Sequence, residues 1–205
     1  PRESIYGGKL LLDSENIEEK RSQFPEDQRV IWIDVPDGDE QGQGSKSNSR
    51  EVDAVITRVK HLSNLLSNYK HPEGEIWSVA VLTFYRGQER ELRERLKKLT
   101  KVNRSPYKFG PLSIDLCTAD RFQGHEADIV LLSYVRTRSA GFLDSPNRLN
   151  VATTRARYQM IHVGKKRFFN SRYIKNKARY IYDIIQNLPK EAFVTDIGKK
   201  RRRRS

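Results

Sequence analysis

Sulfur is nearly missing from this sequence, which holds one cysteine, Cys117, and one methionine in 205 residues. A single thiol excludes an internal disulfide and a multi-cysteine zinc site, and it points to reducing, intracellular surroundings. Cys117 stands in the apolar run over 114–119, where a thiol acts as a small hydrophobe rather than a nucleophile. No signal peptide and no membrane-spanning apolar run occur, so no membrane association is expected. The four histidines, His61, His71, His125 and His162, lie scattered without ligand spacing. No Ser/His/Asp or Cys/His constellation accompanies them, and packing or solvated roles are expected for all four. Negative charge is also in short supply. Lys and Arg outnumber Asp and Glu by 39 to 26, and the resulting net charge of +13 favours a polyanionic partner such as nucleic acid.

What is present is a globular composition with enough apolar and aromatic residues for a core. The length fits one domain, expected over residues 1–189, followed by a basic tail over 190–205. Short apolar runs alternate with amphipathic stretches. Val30–Val35, Ser78–Tyr85, Ser113–Thr118, Asp128–Arg136 and Gln159–Gly164 are predicted strands. Residues 36–47 are too polar to pack and are expected to form a flexible loop. Asn48 stands three residues before Glu51, as a helix cap and its reciprocal partner do, and Val52, Val55, Ile56, Val59, Leu62, Leu65 and Leu66 follow at helical spacing. Gln88–Lys101 repeats the pattern with Leu92, Leu96 and Leu99, and Glu91 with Arg95 and Glu94 with Lys98 are expected helical ion pairs. A further helix is expected over Asn147–Arg157, and a closing one carries Ile174, Ala178, Ile181, Ile185 and Leu188 before Pro189. Five strands with intervening helices predict a three-layer α/β domain with a mostly parallel sheet, whose ligands meet loops at the carboxyl ends of the strands.

Three segments carry a resemblance. Val79–Gln88 (VAVLTFYRGQ), Asp115–Ser133 (DLCTADRFQGHEADIVLLS) and Gly141–Gly164 (GFLDSPNRLNVATTRARYQMIHVG) resemble motifs IV, V and VI of superfamily-one helicases, in that order. The FQG-x-E core and the RLNVA-x-TRAR string are similar to the RNA-surveillance, or nonsense-mediated decay, branch. The opening PRESIYGGKLLL resembles the connector that enters the second motor domain. The resemblance implies a RecA-like second motor domain that shares an ATP site with a first one. It further implies that Arg155 contacts the γ-phosphate, that Glu126 contacts the nucleotide ribose, and that Arg148 and Arg157 stand near.

Without the family, an arginine just before a strand can present its guanidinium at a domain edge, where charge develops on a transferring phosphoryl group. Gly124 permits close backbone approach, and Gln123 beside it is placed to couple nucleotide to bound strand. Thr83, Tyr85 and Thr118 lie at strand ends, where hydroxyls and amides hold the phosphates of single-stranded RNA or DNA, contacts that position without reading sequence. Phe84 departs from the proline that motif IV usually has there. Asp115, Asp120, Glu126 and Asp128 cluster in sequence without the convergence a metal nuclease needs. The run Lys199–Arg204 reads as a solvated tail, a nuclear-import signal or a phosphate patch. No G-x-x-x-x-G-K-[ST] loop occurs, so ATP and Mg2+ are expected to be held mainly by a first RecA-like domain outside this chain, and the chain alone is expected to be inactive. A chain that opens on Pro1 rather than methionine fits a fragment of a longer protein. The alternatives are a non-catalytic nucleic-acid-binding module and a regulatory domain that binds protein around Tyr173–Leu188.

Overall fold

The computed structural model describes residues 24–42, 44–144, 149 and 153–195. Among these, strands β1 (Val30–Asp34), β2 (Trp77–Thr83), β3 (Tyr107–Phe109), β4 (Leu112–Thr118), β5 (Ala127–Ser133), β6 (Ala156–Gly164) and β7 (Phe193–Thr195) form one sheet in the order β3-β4-β2-β5-β6-β1-β7. Every neighbouring pair is parallel except β3 with β4. Helices α1 (Ser49–Leu66), α2 (Arg86–Thr100), α3 (Lys166–Phe169), α4 (Arg172–Lys177) and α5 (Arg179–Asn187) complete the described framework.

Two-residue alternation divides the sheet into two buried faces. Val79, Val81, Ile129, Leu131, Ile161 and Val163 join Val52, Val55, Val59 and Leu62 of α1 and Leu92 and Leu96 of α2 in one cluster. Ala80, Leu82, Val130, Leu132, Met160 and Trp32 join Phe169, Ile174, Ile181 and Ile185 in the other. The domain is therefore the expected three-layer α/β, RecA-like fold, and its central strands are covered on both sides.

Several local expectations change. Asn48 caps α1 by accepting from the Glu51 amide at 3.3 Å, and Glu51 Oε1 accepts in return from Asn48 Nδ2 at 3.2 Å, but the Asn48 backbone amide donates to Gln88 Oε1 of α2 at 2.7 Å. The ion pairs on α2 shift as well. Arg95 turns to Asp53 of the neighbouring α1, Lys97 takes Glu94 at 3.2 Å, and Arg93 takes Glu89. The closing helix breaks at Ala178, whose φ of −141° and ψ of 59° separate α4 from α5. The helix expected over 147–157 gives way to strand by Ala156, and residues 147, 148 and 150–152, Arg148 among them, lie outside the described ones. The connector-like opening and Lys199–Arg204 lie outside them too.

Residues 36–47, read as a flexible loop, have definite partners. Ser45 Oγ and the Lys46 carbonyl accept from the amides of Gly87 and Gln88 at 2.6 and 3.1 Å, which satisfies the open N-terminus of α2. Beyond Pro189, within the stretch set aside as a tail, β7 pairs Phe193–Thr195 with Trp32–Asp34, and Lys166 Nζ sits 3.3 Å over the Phe193 ring.

Candidate functional site

The motif residues fall at opposite ends of the sheet. At the amino ends of β5 and β6, Ala127 pairs in register with Ala156, and the Ala127 amide donates to the Arg155 carbonyl at 3.1 Å. Glu126 and Arg155, each one residue ahead of that pair, are thereby set side by side. Arg157 reaches back so that its Nε lies 3.5 Å from Glu126 Oε2 and its Nη1 3.9 Å from Asp128 Oδ1. Glu126 and Arg157 are each about half exposed, at 55% and 49% of the side chain, so their pairing is weak enough to yield to a ligand.

Asp128 differs from Glu126 although only two residues away. It is 2% exposed, and its Oδ2 accepts from the Ser78 amide at 2.8 Å and the Ser78 hydroxyl at 2.7 Å. His71 Nδ1 accepts from the Glu73 amide at 3.1 Å, which leaves its proton on Nε2, 3.3 Å from the same Asp128 oxygen. This carboxylate is a fixed negative wall behind Arg157. Arg155 Nε is enclosed and has no hydrogen-bond partner, an uncommon state for a buried donor. The donor set thus suits an anionic group brought from outside: a guanidinium with an unused donor, and a second arginine held by carboxylates.

At the carboxyl ends, Thr83, Thr118 and Ser133 stand in one row across β4, β2 and β5. Thr83 is fully buried, and its hydroxyl accepts from the Tyr85 amide at 3.4 Å, so it shapes the turn into α2 from inside. Tyr85 is also buried, at 7% exposure, with Arg136 5.8 Å over its ring. Thr118 is half-buried. Phe84, in place of proline, packs in the core against Tyr134. The motif V segment joins the two ends, running from Thr118 through a short 3-10 helix, Ala119–Phe122, down to Ala127. Gln123 and Gly124 lie exposed on it. Gly124 has φ +86° and open space where a Cβ would stand, so the backbone there is free to be approached.

Below the carboxyl end lies a buried polar network that sequence reading did not anticipate. Glu51, fully buried, accepts from the Ser133 hydroxyl at 2.7 Å and the Val135 amide at 2.8 Å. Gln88, also fully buried, donates to Ser133 Oγ at 2.8 Å. Burial pushes the Glu51 carboxyl up to about 8, against the lowering effect of its hydrogen bonds. Val135 is held at φ +71°, a left-handed conformation that a β-branched residue rarely adopts. The spacing Asn48-x-x-Glu51 signalled the cap, but nothing local signalled the strands that Glu51 reaches. Cys117 fits its expected packing role, since burial pushes its thiol up to about 11. Among the described residues no three His, Cys, Asp or Glu side chains gather as metal ligands do, and no helix is long and apolar enough to cross a membrane.

A mostly parallel sheet covered on both faces is the arrangement of a RecA-like α/β domain. Residues 1–167 match the AAA domain family model, and the chain belongs to that family. Its curated relatives include proteins named as helicases and as regulators of nonsense transcripts, in keeping with the RNA-surveillance branch. It is 32% identical over 187 residues to the DNA polymerase alpha-associated DNA helicase A of Saccharomyces cerevisiae, covering 80% of this chain and 25% of that one. It is 34% identical over 174 residues to the helicase sen1 of Schizosaccharomyces pombe, covering 80% of this chain and 10% of that one. With the regulator of nonsense transcripts 1 of Dictyostelium discoideum the identity is 29% over 220 residues, covering 98% of this chain and 16% of that one. The chain therefore spans a quarter or less of the length of these relatives.

Proposed function

We propose that this chain is the second motor domain of an ATP-dependent helicase, completing an ATP site whose phosphate-binding half lies in a first RecA-like domain. The observation that carries this reading is the pairing at the amino ends of β5 and β6, where Glu126 and Arg155 sit side by side and Arg155 keeps an enclosed, unpartnered Nε. Arg155 is assigned to the γ-phosphate, where a positioned guanidinium stabilises developing charge and is worth about 10³ to 10⁵ in rate. Glu126 is assigned to the ribose, and Arg157, held between Glu126 and Asp128, orients it. Magnesium would be held by the first domain.

The opposite end of the sheet is assigned to single-stranded RNA or DNA. Thr118 and the exposed amides of the following segment contact phosphates, while the buried Thr83 and Tyr85 hold the turn in shape rather than touching the strand. Because the motif V segment runs from one end to the other, with Gln123 and Gly124 between, strand binding and nucleotide binding share one backbone.

The test is ATP hydrolysis by the parent polypeptide, with and without single-stranded RNA or DNA, beside Arg155→Ala. Strand-stimulated hydrolysis that falls a thousandfold or more in the variant is the expected result. The chain by itself is expected to hydrolyse no ATP. Salt-dependent strand binding by a parent polypeptide without hydrolysis would replace this reading with the non-catalytic binding module.

A further inference from the structure

Among the described residues most large apolar side chains are buried or partly buried, and five stand exposed: Tyr69, Ile76, Phe142, Tyr173 and Val194. Two of the five, Phe142 and Tyr173, belong to or touch one turn. The amide of Ala140 donates to the Tyr173 hydroxyl at 3.3 Å, and Phe142, two residues on, lays its ring 5.3 Å from that of Tyr85. Each is 44% exposed. The turn is fixed from below. Leu143 is buried, its amide donates to the Ala140 carbonyl at 3.1 Å, and Gly141 holds φ +57° directly against the Tyr85 hydroxyl, where a Cβ would overlap it. The backbone therefore presents Phe142 outward by construction. Tyr85, expected from sequence to hold strand phosphates through its hydroxyl or amide, lies buried beneath the ring that faces solvent.

We propose that Phe142 and Tyr173 form a stacking platform for the bases of a single strand crossing the carboxyl end of the sheet. This rests on the reading of that end as the nucleic-acid side. Bases rather than an apolar peptide are favoured because exposed cations rim the platform: Arg138 and Arg172 adjoin it in sequence. The carboxylate bound in the turn over 136–142, that of Glu40, is buried beneath it, pairing with Arg136 at 3.3 Å and accepting from the Thr137 and Arg138 amides at 2.9 and 3.3 Å. Exposed rings beside the exposed Arg138 and Arg172 in a chain of net charge +13 match the two components of sequence-tolerant strand binding, π-faces for bases and charge for phosphates.

The experiment is a fluorescence-anisotropy titration of a labelled single-stranded oligonucleotide with the full chain over a range of salt, using wild type, Phe142→Ala, Tyr173→Ala, Phe142→Trp and Tyr173→Phe. Each alanine variant is expected to weaken binding about five- to a hundredfold while the salt slope stays as in wild type, because stacking releases no counterions. The aromatic replacements are expected to restore binding, which a fold defect would not allow. A strand carrying abasic positions is expected to bind wild type as weakly as an ordinary strand binds the alanine variants. Salt-steep binding by wild type that neither alanine substitution changes overturns the platform and leaves the nucleic-acid reading standing. Absence of salt-dependent strand binding by wild type overturns both.

Discussion

His162 should make this domain sensitive to acid, and the size of the effect follows from where the ring sits. It is 1% exposed, stacked between Trp32 and Tyr134 at centroid separations of 5.5 and 5.8 Å, with the Tyr134 hydroxyl 2.8 Å from its Nδ1. No carboxylate is among its recorded ring and hydrogen-bond partners, and burial pushes its pKa from 6.5 down to about 3. A depressed histidine gives stability that is complete above the unfolded value and is lost as pH falls, because only the unfolded chain takes up the proton. At pH 5 the unfolded imidazole is protonated and the folded one is neutral, which costs about 2 kcal/mol relative to pH 7.5. The figure hardly depends on the folded value once that value lies below about 4. Glu51 acts in the opposite direction over this range, so the wild-type profile alone decides nothing. The decisive quantity is the difference between wild type and His162→Phe, a replacement that keeps an aromatic ring in the stack. Urea unfolding followed by tryptophan fluorescence at pH 5, 6, 7 and 7.5 should show wild type losing about 2 kcal/mol more than the variant between the ends of the range. The variant's constant loss from leaving the Tyr134 hydroxyl unpaired cancels in that comparison. A difference that stays flat from pH 7.5 to 5 would refute the neutral, buried assignment of His162.

Two further outcomes are expected. Glu51 has a raised carboxyl, so its contribution is greatest at low pH and is lost as pH rises from its unfolded value through about 8; Glu51→Ala should remove that trend but destabilise the chain by about 3 kcal/mol or more, since Ser133 and the Val135 amide lose a buried acceptor, as urea melts at several pH values would record. Gly87→Ala should reverse the usual gain of replacing a helical glycine, because the new Cβ would stand 2.7 and 2.8 Å from the Lys46 and Ser45 carbonyls; a loss of about 1–3 kcal/mol is expected in urea melts, together with faster proteolysis over residues 36–47.

The strands were readable because alternation survives in a buried parallel sheet: Ile129 and Leu131 face one layer, Val130 and Leu132 the other. The break at Ala178 was not, since Ile174, Ile181 and Ile185 keep helical spacing on both sides of it and all point into the same cluster. Strands β3 and β7, three residues each, are too short to show a period and exist because a longer neighbour offers an edge. The site divides in the same way. Residue types at motif spacing pointed to Arg155 and Glu126, but the sheet register is what sets them together and sends Thr83 and Thr118 to the far end.

Exposure was the property that local sequence concealed. Glu126 and Asp128 are only two residues apart at the start of β5, yet one is half exposed and the other is enclosed by Ser78 and His71, which lie 50 or more positions earlier in the chain. Tyr85 and Phe142 form the parallel case. Each is an aromatic in a recognisable string, and only the tertiary stacking of one over the other decides which ring meets solvent. Chemistry can therefore be assigned to a segment from its residue types, but the choice of the side chain that touches the ligand belongs to long-range packing. That is why Phe142, and not the buried Tyr85, is the ring proposed to meet a base, while Arg155 remains the arginine proposed to meet phosphate.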